Sequence, residues 1–299
     1  MTAHGRPTNP LLRSERRWAV FFLTPSIIGF LAFTALPVVA SLGLSFVKWN
    51  LIHPPEFVGL GNYARALHDP MFWRVLKNTA VYTVGTVPTS MALSLALALA
   101  LNQKIRGVTL FRGLYYLPVV APMVAITMVW RWLYNSNFGM INYLLSLVNV
   151  PAVPWLTSTR WAMPSVIIMS VWKSLGYGMV IYLAGLQGIP QHLYDAAAVD
   201  GANAWQRFRH VTLPMLTTTT FFVMVTSIIS SFQVFGQVYV LTRGGPANAT
   251  ATMVYYIFQN AFQSFRMGYA SALSWLLFVV IFLFTVIQYR AQRERTYYE

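Results

Sequence analysis

Two of the seven acidic residues of this 299-residue chain lie close together, in a small polar loop between two long apolar segments. Asp195 and Asp200 belong to the sequence YDAAAVDGA at 194–202, which otherwise supplies mainly small alanine and glycine side chains. Their carboxylates can accept hydrogen bonds, form ion pairs or cap nearby backbone amides. Because small side chains allow close approach, we interpret the loop as a docking surface. The open alternative is a solvated loop whose acids cap only their own helix.

The sequence contains no arrangement of residues typical of an active site or a metal site. Its five histidines are scattered over tails and loops, at positions 4, 53, 68, 192 and 210, and cysteine is absent. A G-x-x-x-x-G-K-[ST] phosphate-binding loop is also absent, so the chain is not expected to bind ATP in that manner. We therefore predict a non-catalytic chain with no metal and no cofactor of its own.

The composition indicates that lipid is the main solvent of this chain. Hydrophobic residues make up 57% and charged residues 9%, whereas soluble domains carry about 25% charged residues. Since a helix needs roughly 20 apolar residues to cross the bilayer core, six runs qualify as spans, the fourth interrupted by Lys173. They cover residues 18–47, 78–102, 113–130, 161–186, 216–241 and 267–289. The sequence predicts an all-α membrane protein with six transmembrane helices, forming one transmembrane domain over 18–289.

The basic residues orient this arrangement. Six spans place both termini on one side, where the connecting segments carry twelve Lys or Arg residues against eight on the other side. The positive-inside rule therefore predicts cytoplasmic tails at 1–17 and 290–299 and a cytoplasmic loop at 191–214. The net charge of +14 is spread along the flanks of apolar runs. No clustered basic face suggests nucleic acid, so membrane lipid is the expected contact.

The loops are expected to contain short helices. Residues 191–203 and 204–212 can form two helices along the membrane face, because alanine is a strong helix former and Gly201 permits a break between them. Two apolar segments on the opposite side, 138–150 and 254–265, are too short to span. Their aromatic residues favour the headgroup zone, so we expect interfacial or re-entrant helices there.

Polar side chains inside the spans are candidates for a substrate pathway, because their burial in lipid is costly. Hydroxyl and amide groups can bind a hydroxyl-bearing ligand, and aromatic rings can cover its apolar faces. The alternative is that Ser and Thr only pack helices or bond backbone carbonyls. The candidates are Ser170, Lys173, Ser174 and Tyr177 in the fourth span and Ser227, Ser230, Ser231, Phe232 and Gln233 in the fifth. Thr226 and Gln237 are further polar residues of the fifth span.

Lys173 is the only Lys or Arg within a candidate span. It could attract an anionic substrate. Alternatively, it lies near the outer end of its span and could extend to the lipid headgroups. We favour the second interpretation from the sequence.

The segment Asp195-Ala196-Ala197-x-x-Asp200-Gly201-Ala202, followed by Leu213-Pro214, resembles the "EAA" motif of ABC-importer permeases. Further segments are similar to the carbohydrate-uptake group of that family, of maltose and glycerol-phosphate type: FVGLGNY at 57–63, Leu117-Pro118, GLQGIP at 185–190, TRGGP at 242–246 and Gly268-Tyr269-Ala270. One departure is Asp195, where the family has Glu, so the carboxylate is one methylene shorter.

The resemblance implies a type I ABC-importer permease fold whose loop is a coupling helix. In that family the helix docks on a cytoplasmic ATPase, which implies the coupling residues Asp195, Ala196, Ala197, Asp200, Gly201, Ala202, Leu213 and Pro214 here. It also implies a second homologous permease, two ATPase subunits that bind ATP and Mg, and an extracytoplasmic substrate-binding protein. The setting would be a bacterial or archaeal cytoplasmic membrane.

The resemblance favours a sugar or oligosaccharide as the substrate. The same architecture carrying glycerol 3-phosphate or glycerophosphodiesters is the alternative. An ion-coupled secondary transporter is less favoured, because the candidate spans contain no Asp or Glu.

Overall fold

The computed structural model describes residues 10–103 and 106–293, so most of the two predicted tails lies outside the described residues. Within that part the chain forms fifteen α-helices. They are α1 (Pro10–Phe30), α2 (Leu36–Ser45), α3 (Gly61–His68), α4 (Pro70–Leu101), α5 (Val108–Val120), α6 (Met123–Leu133), α7 (Met140–Leu147), α8 (Ala162–Gln187), α9 (Gln191–Val199), α10 (Ala204–Arg207), α11 (Leu213–Met215), α12 (Thr217–Phe232), α13 (Gly236–Leu241), α14 (Met253–Phe258) and α15 (Met267–Arg293).

Three π-helical segments extend or join these helices. They are Leu31–Ala35 between α1 and α2, Phe208–Thr212 between α10 and α11, and Gln259–Gln263 after α14. The exception to the all-helical pattern is a two-stranded antiparallel ribbon in which β1 (Val47–Lys48) pairs with β2 (Glu56–Phe57). The loop helices expected at 191–203, 204–212, 138–150 and 254–265 are all present, within a few residues.

Within the part of the chain that the structure describes, four helical segments are each long and apolar enough to cross a membrane: Trp18–Ser45, Pro70–Leu101, Ala162–Gln187 and Met267–Arg290. Two bent helix pairs raise the number to six if each pair counts as one span. The second span begins at Pro70, eight residues before the charge-free run at 78–102. The charge-free run starts later because Arg74 and Lys77 lie in the first turns of this helix. Long basic side chains at a helix end can reach water while their stems lie along apolar surface.

The predicted third span, 113–130, is not one straight helix. It consists of α5 and α6, which meet at an angle of 98°. Ala121 has an extended backbone, and Pro122 follows it with no N–H to continue the helix. The predicted fifth span, 216–241, is also interrupted, because α12 ends at Phe232 and α13 begins at Gly236.

The described helices bury their apolar side chains in two clusters, one at each end of the bundle. One cluster joins the starts of α4 and α8 to α13, α14 and α15. The other joins the ends of α4 and α8 to α9 and the start of α12. Helix α8 is central, and a Cβ on its Gly176 would overlap the backbone of Tyr115 in α5. The close approach of these two helices therefore requires glycine.

The segments FVGLGNY and Gly268-Tyr269-Ala270 hold the end of α2. Asn62 Nδ2 donates to the carbonyl oxygens of Ser45 and Val47, at 2.9 Å in both cases. The Tyr63 hydroxyl donates to Ser45 Oγ at 2.7 Å. A Cβ on Gly268 would overlap the Val47 carbonyl oxygen. These residues therefore fix the first span against α15.

Asp69 joins three elements at the end of the bundle opposite α9. Its carboxylate caps α4 by accepting from the Met71 amide at 2.8 Å, and it also accepts from the hydroxyls of Tyr256 at 2.6 Å and Tyr269 at 2.9 Å. Burial raises the pKa of Asp69, but these three bonds and the nearby Arg65 outweigh it and hold the pKa below its ordinary value. Sequence reasoning did not single out this residue.

Replacement of Asp69 by asparagine is expected to destabilise the folded protein by about 2 kcal/mol at neutral pH, because hydrogen bonds to a charged group are lost. A lowered pKa stabilises the fold above the ordinary carboxyl value of about 3.9, and this contribution is lost as the pH falls through the lowered value. The difference in melting temperature should therefore vanish at strongly acidic pH. Thermal denaturation from pH 7 downward, with exposed Asp200→Asn as control, checks this. A constant difference across that range would contradict it.

Candidate functional site

Six helices converge on a cavity of about 280 Å³. Helix α4 contributes Tyr82, Thr86, Val87 and Ser90; α5 and α6 contribute Val119 and Met123; α8 contributes Ser170, Lys173, Ser174 and Tyr177; α12 and α13 contribute Thr226, Ser227, Ser230, Ser231 and Gln237. Hydroxyl groups dominate the polar part of this wall. Lys173 is the one charged residue among the lining residues, and none of them is Asp or Glu.

The cavity collects seven of the nine residues proposed from the sequence as a substrate pathway. Phe232 and Gln233 lie elsewhere. The Phe232 ring packs on Phe284 with centroids 5.4 Å apart and lines a separate apolar groove. Gln233 is exposed just beyond the end of α12. Because α12 stops at Phe232, Gln233 does not continue the face of the helix that lines the cavity.

Sequence reasoning missed the wall formed by α4. Tyr82, Thr86 and Ser90 recur every four residues and therefore lie on one face of this helix. A polar stripe in an otherwise apolar span was the signal that could have revealed them.

The cavity hydroxyls differ in how they are already bonded. Several donate to carbonyls of their own helix, as Ser170 Oγ does to Val166 O at 2.7 Å and Ser174 Oγ to Val171 O at 3.0 Å. Within the described residues, four neutral lining side chains make no side-chain hydrogen bond: Tyr177, Ser227, Ser230 and Gln237. These four side chains are free to bond a ligand.

Lys173 is not near the end of its span; it is the twelfth residue of the 26-residue helix α8. The ammonium does not extend to headgroups either. Its Nζ donates to the carbonyl oxygens of Pro118 at 2.7 Å and Ala121 at 3.0 Å, with Val119 O at 3.4 Å. The interpretation based on the headgroups is therefore wrong. The side chain instead binds the end of α5, where the third span breaks.

A second candidate site is the segment from α9 to α11, here called the hook. Helix α9 ends in two reverse bonds, from Gly201 N to Ala198 O at 3.1 Å and from Ala202 N to Ala197 O at 2.9 Å. Gly201 has φ of +76°, the left-handed conformation that this helix ending requires. Gly201 therefore sets the direction in which the chain leaves α9.

Local bonds stiffen the hook. The Tyr194 hydroxyl and Thr212 Oγ1 are 3.0 Å apart and join α9 to the π-helical segment. Asn203 and Gln206 form a reciprocal capping box that starts α10. At the base of the hook, a Cβ on Gly185 would be 2.6 Å from Thr219 Oγ1 and 2.9 Å from Leu216 Cδ2. Helices α8 and α12 thus touch where the hook begins and ends.

Most predicted coupling residues of the hook are exposed: Asp195, Ala196, Asp200, Gly201, Leu213 and Pro214, whereas Ala197 and Ala202 are half-buried. Asp195 accepts a bond from Gln191 Nε2 at 3.2 Å and does not cap the start of its helix. Two apolar side chains beside them are also exposed, Val199 at 88% and Trp205 at 64%. An exposed mixture of acids and large apolar groups is typical of a protein interface.

Comparisons with known proteins identify relatives of this chain. Two curated relatives cover almost all of it. The Rhizobium radiobacter lactose transport system permease protein LacF is 35% identical, over 92% of this chain and 93% of its own length. The Brucella abortus sn-glycerol-3-phosphate transport system permease protein UgpA is 34% identical, over 93% and 95%.

A solved structure has the same fold. It is a bacterial ABC transporter involved in the import of the acidic polysaccharide alginate, with a TM-score of 0.83, 24% identity and coverage of 96% of this chain and 99% of that chain. The predicted fold class, a type I ABC-importer permease, is therefore confirmed. The family described as "Binding-protein-dependent transport system inner membrane component" matches residues 91–296. The chain belongs to this family of inner-membrane components of binding-protein-dependent transport systems.

Proposed function

We propose that this chain is a non-catalytic transport subunit that forms half of the pathway for an uncharged sugar or oligosaccharide. The observation that carries the proposal is the cavity, whose free polar groups include the neutral side chains of Tyr177, Ser227, Ser230 and Gln237. Such groups bind hydroxyls, and the Tyr177 ring, 45% exposed, can cover an apolar sugar face. The name of the lactose-transport relative supports a carbohydrate.

The missing phosphate-binding loop and the exposed hook indicate which partners the chain needs. A second permease would complete the pathway, and an extracytoplasmic binding protein would deliver the ligand, as the family description supports. Two ATPase subunits would bind ATP and Mg, since the sequence has no phosphate-binding loop. The exposed hook is the proposed docking site for one ATPase. It would lie on the cytoplasmic side of a bacterial or archaeal membrane, together with both termini.

Docking at the hook is supported by its unused groups. Among the described residues, the one ion pair joins Lys48 to Glu56, so Asp195 and Asp200 are available to a partner's cations. Val199 and Trp205 would lose exposed apolar surface in the same contact.

Glycerol 3-phosphate or a glycerophosphodiester is the second candidate substrate. A relative of nearly equal identity carries that name, and Lys173 faces the cavity. However, the ammonium already donates to carbonyls of α5, and a phosphate would have to compete with them. Ion-coupled transport ranks lower, because no Asp or Glu lines the cavity.

The test uses the complete importer, purified with its partner permease, ATPases and binding protein and reconstituted in proteoliposomes. Mass spectrometry of the ligand that co-purifies with the binding protein should identify an uncharged sugar. Uptake of that ligand should require ATP and resist ionophores. A phosphate-bearing ligand, or uptake that an ionophore abolishes, would contradict the proposal.

Ser227→Ala should lower the uptake rate at saturating loaded binding protein by about 2- to 10-fold, the effect of one hydrogen bond to an uncharged ligand. Ser174→Ala is the matched control, because the Ser174 hydroxyl donates to Val171 O and is less available. Equal effects of the two substitutions would argue against a ligand contact at Ser227.

A further inference from the structure

The break in the third span leaves carbonyl groups without their usual donors. In a continuous helix the Pro118 carbonyl would accept from the amide of residue 122, but residue 122 is a proline and has no N–H. Ala121 is extended, with ψ of 140°, so the chain turns away instead of closing the last turn. Unbonded carbonyls at membrane depth are costly, and another group must bond them.

Lys173 supplies that group from a different helix. Its Nζ lies 2.7 Å from Pro118 O and 3.0 Å from Ala121 O, the two carbonyls that flank the bend. Three N–H donors on one ammonium suit a cluster of carbonyls. The partial negative charge at the C-terminus of α5 also favours a cation there. No carboxylate lies among the residues around this cavity, so the carbonyls are the partners of the charge.

The position of this contact matters for the cavity. Val119 lies between the two bonded carbonyls, and Met123 begins the next helix, and both line the cavity. Met123 also packs against α13, since a Cβ on Gly236 would be 3.1 Å from Met123 Cγ. A change in the angle between α5 and α6 would therefore move one wall of the cavity.

We propose that Lys173 is a positioning residue that replaces the donor removed by Pro122. Its ammonium fixes the corner between α5 and α6 and so holds Val119 and Met123 in the cavity wall. This role rests on the proposed function only in treating the cavity as the path of the ligand.

The test exploits the absence of cysteine from the chain. A single Val119→Cys substitution is introduced into the assembled importer, and its rate of reaction with N-ethylmaleimide reports the position of the corner. No transported ligand is needed, so a failure of the sugar proposal leaves this measurement intact.

Lys173→Met should change the labelling rate at position 119 by about fivefold or more, since the carbonyls lose their donors. Lys173→Arg should keep it within about twofold, because guanidinium also donates several bonds.

Two results would overturn the proposal: an unchanged labelling rate in Lys173→Met, or a rate in Lys173→Arg that changes as much as in Lys173→Met. If Lys173→Met prevents assembly, recovery of the complex becomes the measurement. Recovery in Lys173→Arg supports the proposal, and its absence contradicts it.

Discussion

Replacement of Gly201 by valine is expected to abolish the ATP hydrolysis that loaded binding protein stimulates, while the chain still folds and inserts. Gly201 has φ of +76°, a conformation that costs a non-glycine residue about 1–2 kcal/mol. A β-branched side chain will not adopt it readily, so α9 would continue or end differently. The direction of the chain toward Asn203 and α10 would then change, and the docking surface with it.

The structure offers a matched control for this substitution. Gly107 also has a left-handed backbone, with φ of +78°, and a Cβ at either glycine would meet no atom within 4 Å. Gly107→Val therefore imposes the same backbone strain outside the hook and should leave most coupling intact. Gly201→Asn should retain more activity than Gly201→Val, because asparagine tolerates the left-handed region. The hook would lose its proposed role if the two valine variants behaved alike.

Replacement of Gly268 by alanine is expected to remove most of the folded protein. Its Cβ would overlap the carbonyl oxygen of Val47 and lie 3.1 Å from that of Leu44. Backbone atoms cannot move aside as a flexible side chain can, so the first span must shift away from α15. Overpacking of this kind costs about 3 kcal/mol, and the Asn62 bond to Val47 O would be strained as well.

The measurement is the yield of monodisperse importer after detergent extraction, followed by size-exclusion chromatography. Gly29→Ala is the control, because it places the same methyl group in a span where nothing lies within 4 Å. We expect that variant to match the wild type. Normal yield and melting temperature for Gly268→Ala would show that the packing of α2 on α15 is not tight.

The positions of three of the six predicted spans could be predicted closely because charge is excluded from lipid. The charge-free runs at 18–47, 161–186 and 267–289 match the segments Trp18–Ser45, Ala162–Gln187 and Met267–Arg290 within a few residues. The hook could also be predicted, since alanine-rich sequence, a glycine break and an Asn203–Gln206 capping pair are local signals. Local patterns of this kind depend on neighbours in the chain and not on the rest of the fold.

The remaining features depend on which helices meet. Pro122 is accommodated in the third span by a 98° bend and by a lysine from α8. Two prolines four residues apart, at 118 and 122, were the local sign of a missing donor. The partner of Lys173 depends on a long-range contact between α8 and α5 that no single segment encodes.

The close packing of Gly185 against Leu216 and Thr219 holds α8 and α12 together at the base of the hook. A force exerted by a partner bound at the exposed tip near Asp200 would be transmitted through the hydrogen-bonded hook to this contact. We therefore expect this force to rotate α8 and α12 together and not to change the distance between them. Tyr177 on α8 and Ser227 on α12 would then move together as one rigid unit.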